Sequence, residues 1–211
     1  MNIEEKIEAI KYWLRTGSIN IFGLPMSGKD TVGVRLAEVL GGKFLSSGMI
    51  IRAMEKETNQ KLTDEGKLIE TNVFYDWVLP YFERQDLADF PLVLSSVGRW
   101  SGEENQVLSV AESAGHPIKA VILLNISEGD VMSRWEAAQI LNDRGERADD
   151  KELAVFKTRI NEFVEKTIPV LKHYREMGLL VEVKADMDRE SVFNEAIEQL
   201  YRFAENSRVV V

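Results

Sequence analysis

Apolar residues recur along this chain in two alternating periods. Ile3, Ile7, Ile10 and Leu14 step by four, three and four, which predicts an amphipathic helix over residues 3–15. Ser18-Ile19-Asn20-Ile21-Phe22 reads as a short strand running into a glycine-containing loop. Val32, Leu36, Val39 and Leu40 then mark one face of a helix over 28–40. Phe44-Leu45-Ser46 is a short extended piece, and helical stretches continue to about Glu83. Leu92-Val93-Leu94, behind Pro91, has the makings of a buried strand, followed by a helix over 103–113. Lys119 to Ile126 is a second buried strand, rich in Val, Ile and Leu. Long helices over 128–142 and 150–176 flank a polar segment, and Gly178 caps the latter. Leu179 to Val183 is the last strand and 189–205 the last helix. Apolar strands alternating with helices predict a parallel sheet covered on both faces. In such sheets ligands bind beyond the carboxyl ends of the strands, so chemistry is sought just after each one.

Composition narrows the function classes. The 211 residues suffice for one domain with a substantial core. The longest apolar run, Ala120 to Leu124, is far too short to span a membrane. Met1-Asn2-Ile3-Glu4 has neither a basic start nor an apolar block, so no signal peptide and a cytoplasmic location are expected. With no Cys there are no disulfides, no thiolate catalysis and no Cys-ligated zinc, and His116 and His173 alone make no His-rich metal site. The net charge of −9 disfavours nucleic acid as a partner. Any anionic ligand must meet a local cationic cluster that works against the global field.

Such a cluster begins after the first strand, in Gly23-Leu24-Pro25-Met26-Ser27-Gly28-Lys29-Asp30-Thr31. The usual phosphate-loop pattern closes on Gly-Lys followed by Ser or Thr; here Asp30 intervenes and Thr31 comes one residue late. The physics is unchanged. Gly23 and Gly28 permit torsions that aim successive N–H groups into one concavity, around Pro25 and Ser27. The following helix adds its positive end. Lys29 supplies a mobile charge for the β and γ phosphates, and Thr31 a hydroxyl near a magnesium ion.

A loop with Gly-Lys-x-Thr resembles that of adenylate kinase and the related nucleoside monophosphate kinases, and further segments match in the right order. Ser46-Ser47-Gly48-Met49-Ile50-Ile51-Arg52-Ala53 is similar to the family's Ser-Thr-Gly-Asp-Met-Leu-Arg-Ala. Gly66-Lys67-Leu68-Ile69 resembles the stretch that closes over the acceptor base. Ser95-Ser96-Val97-Gly98-Arg99 stands where Asp-Gly-Phe-Pro-Arg is usual, and Gly145-Glu146-Arg147-Ala148-Asp149-Asp150 looks like the lid signature. Arg159 and Thr167-Ile168-Pro169-Val170 follow on the next helix. The resemblance covers residues 18 to about 202.

It implies a P-loop NTPase-type three-layer α/β/α fold with a five-stranded parallel sheet. A helical extension over 1–17 would precede a kinase domain over 18–211, which carries a monophosphate-binding flap at 47–78 and a short lid at 137–149. It also implies ATP and AMP as substrates, two ADP as products, and magnesium. By resemblance, Arg52 and Arg99 hold the acceptor phosphate, with Ser47, Gly48, Ile69 and Gln106 nearby. Lys29, Arg134, Arg147 and Arg159 gather around the donor phosphates and the moving group. Guanidinium forks match phosphate oxygens bidentately. Other acceptors (CMP, UMP or a small hydroxyl compound) and a weakly active nucleotide-binding paralogue are the alternatives.

Four departures from the family bear on this. The strand-end Asp is missing from the Ser95-Ser96 region; Asp30 either partly replaces it in holding hydrated magnesium or is simply favoured by the helix dipole. Ala138 stands where a further Arg is usual, with Arg144 as a substitute from the lid side. Gln106 lies seven residues after Arg99, farther than the family spacing. The stripe on residues 3–15 is expected to dock on the chain's own core in a monomer, a dimer contact being the alternative. Trp100, next to Arg99, borders the acceptor site in one reading and is core in the other.

Overall fold

The computed structural model describes residues 1–63, 65–141 and 152–208. Five strands, β1 (Ser18–Gly23), β2 (Lys43–Ser46), β3 (Leu92–Ser95), β4 (Ile118–Asn125) and β5 (Leu180–Lys184), form one all-parallel sheet in the order β2-β3-β1-β4-β5. Every residue of β1 and β3 is buried, as continuous apolar runs between two helical layers require. The helices are α1 (Ile3–Leu14), α2 (Lys29–Leu40), α3 (Ser47–Thr58), α4 (Thr71–Trp77), α5 (Glu103–Ser113), α6 (Glu128–Leu141), α7 (Leu153–Glu162), α8 (Ile168–Glu176) and α9 (Arg189–Arg208). This is the expected three-layer α/β/α architecture. No helix among the described residues is long and apolar enough to cross a membrane.

Local chemistry explains the boundaries. Asn2 caps α1 through Glu5 N–H at 2.9 Å, while the Glu5 carboxylate reaches back to Asn2 N–H, also at 2.9 Å. Gly41, at φ +68°, ends α2. A Cβ on Gly33 would stand 2.5 Å from the Phe44 ring, so only glycine lets α2 lie this close to β2. The predicted single helix over 150–176 is instead α7, a π-helical turn at Phe163–Thr167, and α8. Pro169 has no N–H to donate to the preceding turn, and the backbone there widens.

The stripe on α1 is buried against this chain's own core. Ile10 and Leu14 are fully buried, Ile7 is half-buried and Ile3 exposed. The Trp13 ring meets Phe203 of α9 edge-on at 6.0 Å, and Lys6 pairs with Glu198.

The carboxyl ends of β1, β2 and β3 open on one edge of the sheet. Asn20, buried in β1, pins the turn beyond β3: its Nδ2 donates to Val97 O at 2.7 Å and its Oδ1 accepts from Val97 N at 3.3 Å. Ser96, at φ +55°, donates its N–H to Ile21 O at 2.9 Å, and Ser47 at the start of α3 donates its hydroxyl to Ser96 O at 2.8 Å. Three elements therefore fix the path that delivers Arg99.

Candidate active site

The loop between β1 and α2 is tightly wound. A Cβ on Gly23 would lie 2.6 Å from Ser27 Oγ, so the chain can fold back only over a glycine. Met26, at φ +66°, and Gly28, at φ +90°, both take left-handed torsions, and Gly28 leads directly into α2. Such torsions turn successive N–H groups inward to make an anion-binding concavity, strengthened by the helix terminus. The Ser27 hydroxyl is buried with no hydrogen-bond partner among the described residues. Pro25 is buried within the loop.

The loop separates two cavities. The first is lined by Lys29, Asp30, Ser47, Gly48 and Arg52 on one side and by Ile69, Arg99 and Arg159 on the other. The second is lined by Ser27, Gly28, Thr31, Arg134 and Ala138, and closed by Met187 and Asp188 beyond β5. The structure thus collects most of the predicted site residues into two adjoining chambers.

In the first chamber positive charge is concentrated, and at Arg99 it is buried. Burial, and the nearby Arg159, press the pKa of the Arg99 guanidinium down to about 10, and Arg99 Nε is buried with no hydrogen-bond partner among the described residues. Two cations converging in a buried space are stable together when an anion lies between them. Ser95 Oγ donates to Asp30 Oδ1 at 2.6 Å, so the Asp30 carboxylate stands at the end of β3, the place from which the family's carboxylate is missing.

Glu103 also lines this chamber, and the sequence reading did not single it out. Its Oε2 accepts the N–H groups of Arg99 and Trp100 at 2.7 and 3.0 Å, and its Oε1 accepts the Thr71 hydroxyl at 2.8 Å. Burial pushes its pKa upward against these bonds and the Arg99 charge. The available signal was its position four residues after Arg99, in the first turn of α5. Gln106, by contrast, is exposed on α5 and is not brought to the chamber. Trp100 does border it, its Nε1 donating to Ile69 O at 3.0 Å.

Arg134 is engaged by backbone. Its Nη1 donates to Met26 O and Ser27 O at 3.4 and 3.3 Å, and its Nη2 to Ala185 O and Met187 O at 2.7 and 3.2 Å. It ties the phosphate loop to the segment beyond β5, at the rim of the second chamber. Arg144, Arg147 and the rest of Gly145–Asp150 lie outside the described residues, as does most of the expected lid; Ala137 to Leu141 are the last turn of α6. The α6 and α7 helices that flank this segment are joined by Trp135 and Phe156, stacked at 5.6 Å.

No protein-family model matches the chain. Curated relatives do. The adenylate kinase of Parasynechococcus marenigrum is 30% identical over 179 residues, covering 81% of this chain and 91% of that protein. The adenylate kinase of Methanosarcina barkeri is 24% identical over 216 residues, 89% of this chain and all of that protein. Among solved structures, a gluconokinase from Sinorhizobium meliloti 1021 superposes with a TM-score of 0.61 at 20% identity, over 92% of this chain and 97% of the other. The last likeness shows a shared fold.

Proposed function

The chain belongs to the adenylate kinase family, and from that premise we propose that it transfers the γ-phosphoryl group of ATP to a nucleoside monophosphate, AMP first among them, giving two ADP. The observation that carries this reading is the meeting of Lys29, Arg52, Arg99 and Arg159 in one chamber on the far side of a phosphate loop from a second chamber.

Phosphoryl transfer asks the protein to align donor and acceptor and to balance charge on the moving group. In this reading the donor's base and ribose occupy the chamber of Thr31, Arg134 and Met187, and its phosphates lie along the N–H groups of residues 26–29. The acceptor's phosphate sits between Arg52 and Arg99. Lys29 and Arg159 face the oxygens that gain charge in the transition state. Arg134 acts by holding the carbonyls of Met26 and Ser27, which keeps the N–H groups of the loop aimed inward. The flaps at 47–78 and 137–149 would exclude water, so that the acceptor and not water receives the phosphoryl group.

A hydroxyl and a carboxylate from consecutive residues at the start of α2 suit a hard divalent cation: Thr31, on the donor side, would hold magnesium, with Asp30, which lines the neighbouring chamber, acting through the ion's waters. When bound with ATP, magnesium would supply positive charge to the donor phosphates.

A second reading draws on one observation: the Asp30 carboxylate lines the acceptor chamber, where it could take the proton of a hydroxyl acceptor. A coupled assay with magnesium, ATP and each of AMP, CMP, UMP, GMP and gluconate separates the two. Turnover strongest with AMP is the expected result. Turnover with gluconate alone would replace the first reading by the second, and no turnover with any acceptor would overturn both.

A further inference from the structure

The wall of the acceptor chamber at residues 66–69 is held in place by two side chains to which the proposed reaction assigns no phosphate contact. Leu68 N–H donates to Glu162 Oε2 at 3.0 Å, and Ile69 O accepts from Trp100 Nε1 at 3.0 Å. The two anchors are themselves joined. Lys166 Nζ lies 2.7 Å from each Glu162 oxygen and 4.1 Å from the centre of the Trp100 ring. Glu162 ends α7, and Lys166 lies in the π-helical turn that follows. Gly66, at φ +74°, completes the fit: a Cβ there would lie 2.8 Å from Val155 O and 2.9 Å from Arg159 Cγ. Burial opposes ionisation of Glu162, but Lys166 and the Leu68 N–H hold its carboxyl below the usual range. A charged acceptor of this kind makes the stronger class of hydrogen bond.

We propose that Glu162 and Trp100 are positioning residues that fasten the 66–69 wall against the chamber, so that acceptor affinity depends on them and the phosphoryl step does not. Neither touches the phosphates in the reading above. Each acts through the backbone of Leu68 or Ile69, and Arg159, one helical turn before Glu162, shares the same helix face. The assignment of this chamber to the acceptor rests on the proposed function; the fastening itself does not.

The experiment is chosen accordingly. Hydrogen–deuterium exchange of the segment around Leu68 is measured without nucleotide in the wild type, Glu162→Ala, Glu162→Gln and Trp100→Phe. Exchange in Glu162→Ala and Trp100→Phe is expected to be faster by about tenfold, the size of losing one hydrogen bond of this class, with the sheet strands as internal control. Glu162→Gln keeps a carbonyl acceptor for Leu68 N–H and is expected to stay near the wild type. In the kinetic arm, the acceptor KM rises about tenfold in Glu162→Ala while kcat and the ATP KM stay within about twofold. Unaltered exchange at Leu68 in both Glu162→Ala and Trp100→Phe overturns the fastening. An ATP KM that rises as far as the acceptor KM overturns the role assigned to it. If no monophosphate is a substrate, the proposed function fails while the exchange contrast still stands.

Discussion

Asp30 departs from its family's pattern and brings a carboxylate to the place from which the family's own is missing. It occupies the position in the phosphate loop that usually holds glycine, and its carboxylate is fixed by Ser95 Oγ at 2.6 Å, at the end of β3. If it holds magnesium's water shell, Asp30→Asn should lower the preference of the protein for magnesium–ATP over free ATP by about tenfold, read by calorimetry with and without the ion. An unchanged preference would reduce Asp30 to a favourable charge at a helix terminus. Asp30, Lys29, Arg52 and Arg99 were readable in sequence because the phosphate loop and the strand ends announce them. Glu103 was not. Its work is to bind two loop N–H groups and a distant threonine, which is a tertiary arrangement that no local spacing reveals. Gln106 has the right chemistry for reading a base, but it lies on an exposed face of α5.

At the scale of elements, hydrophobic period was the informative quantity. It located α1 and its buried face, and α5 to the residue, because those faces pack against a single partner layer. It could not show the break between α7 and α8, where the apolar spacing continues and only the missing N–H of Pro169 forces the backbone open. The extension that became α1 contributes to stability through Ile10 and Leu14, both fully buried. Leu14→Ala should cost about 2–5 kcal/mol by leaving a cavity between α1 and the core. Thermal unfolding checks the cost, and the KM values for both nucleotides should not move, since no residue of α1 lines either chamber.

For the whole molecule, alternation of strand and helix predicted a parallel sheet, but the strand order is set by which crossovers pack, and that is not a local property. The charge distribution was partly legible: a chain of net charge −9 that binds nucleotides must gather its cations in one place, and the first chamber holds Lys29, Arg52, Arg99 and Arg159 together. If AMP is the acceptor, a ligand that joins two adenosines through a polyphosphate chain should span both chambers at once. At a thousand times its Kd it should stabilise the fold by about 4 kcal/mol, visible as a rise in Tm of roughly 8 °C or more. At that same concentration, a rise no greater than ATP alone produces would mean that the chambers do not act jointly.

The loop that parts those chambers has Lys29 and Asp30 lining one and Gly28 and Thr31 lining the other. Under the proposed reaction a phosphoryl group crosses that partition while each nucleoside stays on its own side. Neither guest has to pass the other to enter or leave, so the two substrates should bind in random order, and ADP, the product left in each room, should compete with both.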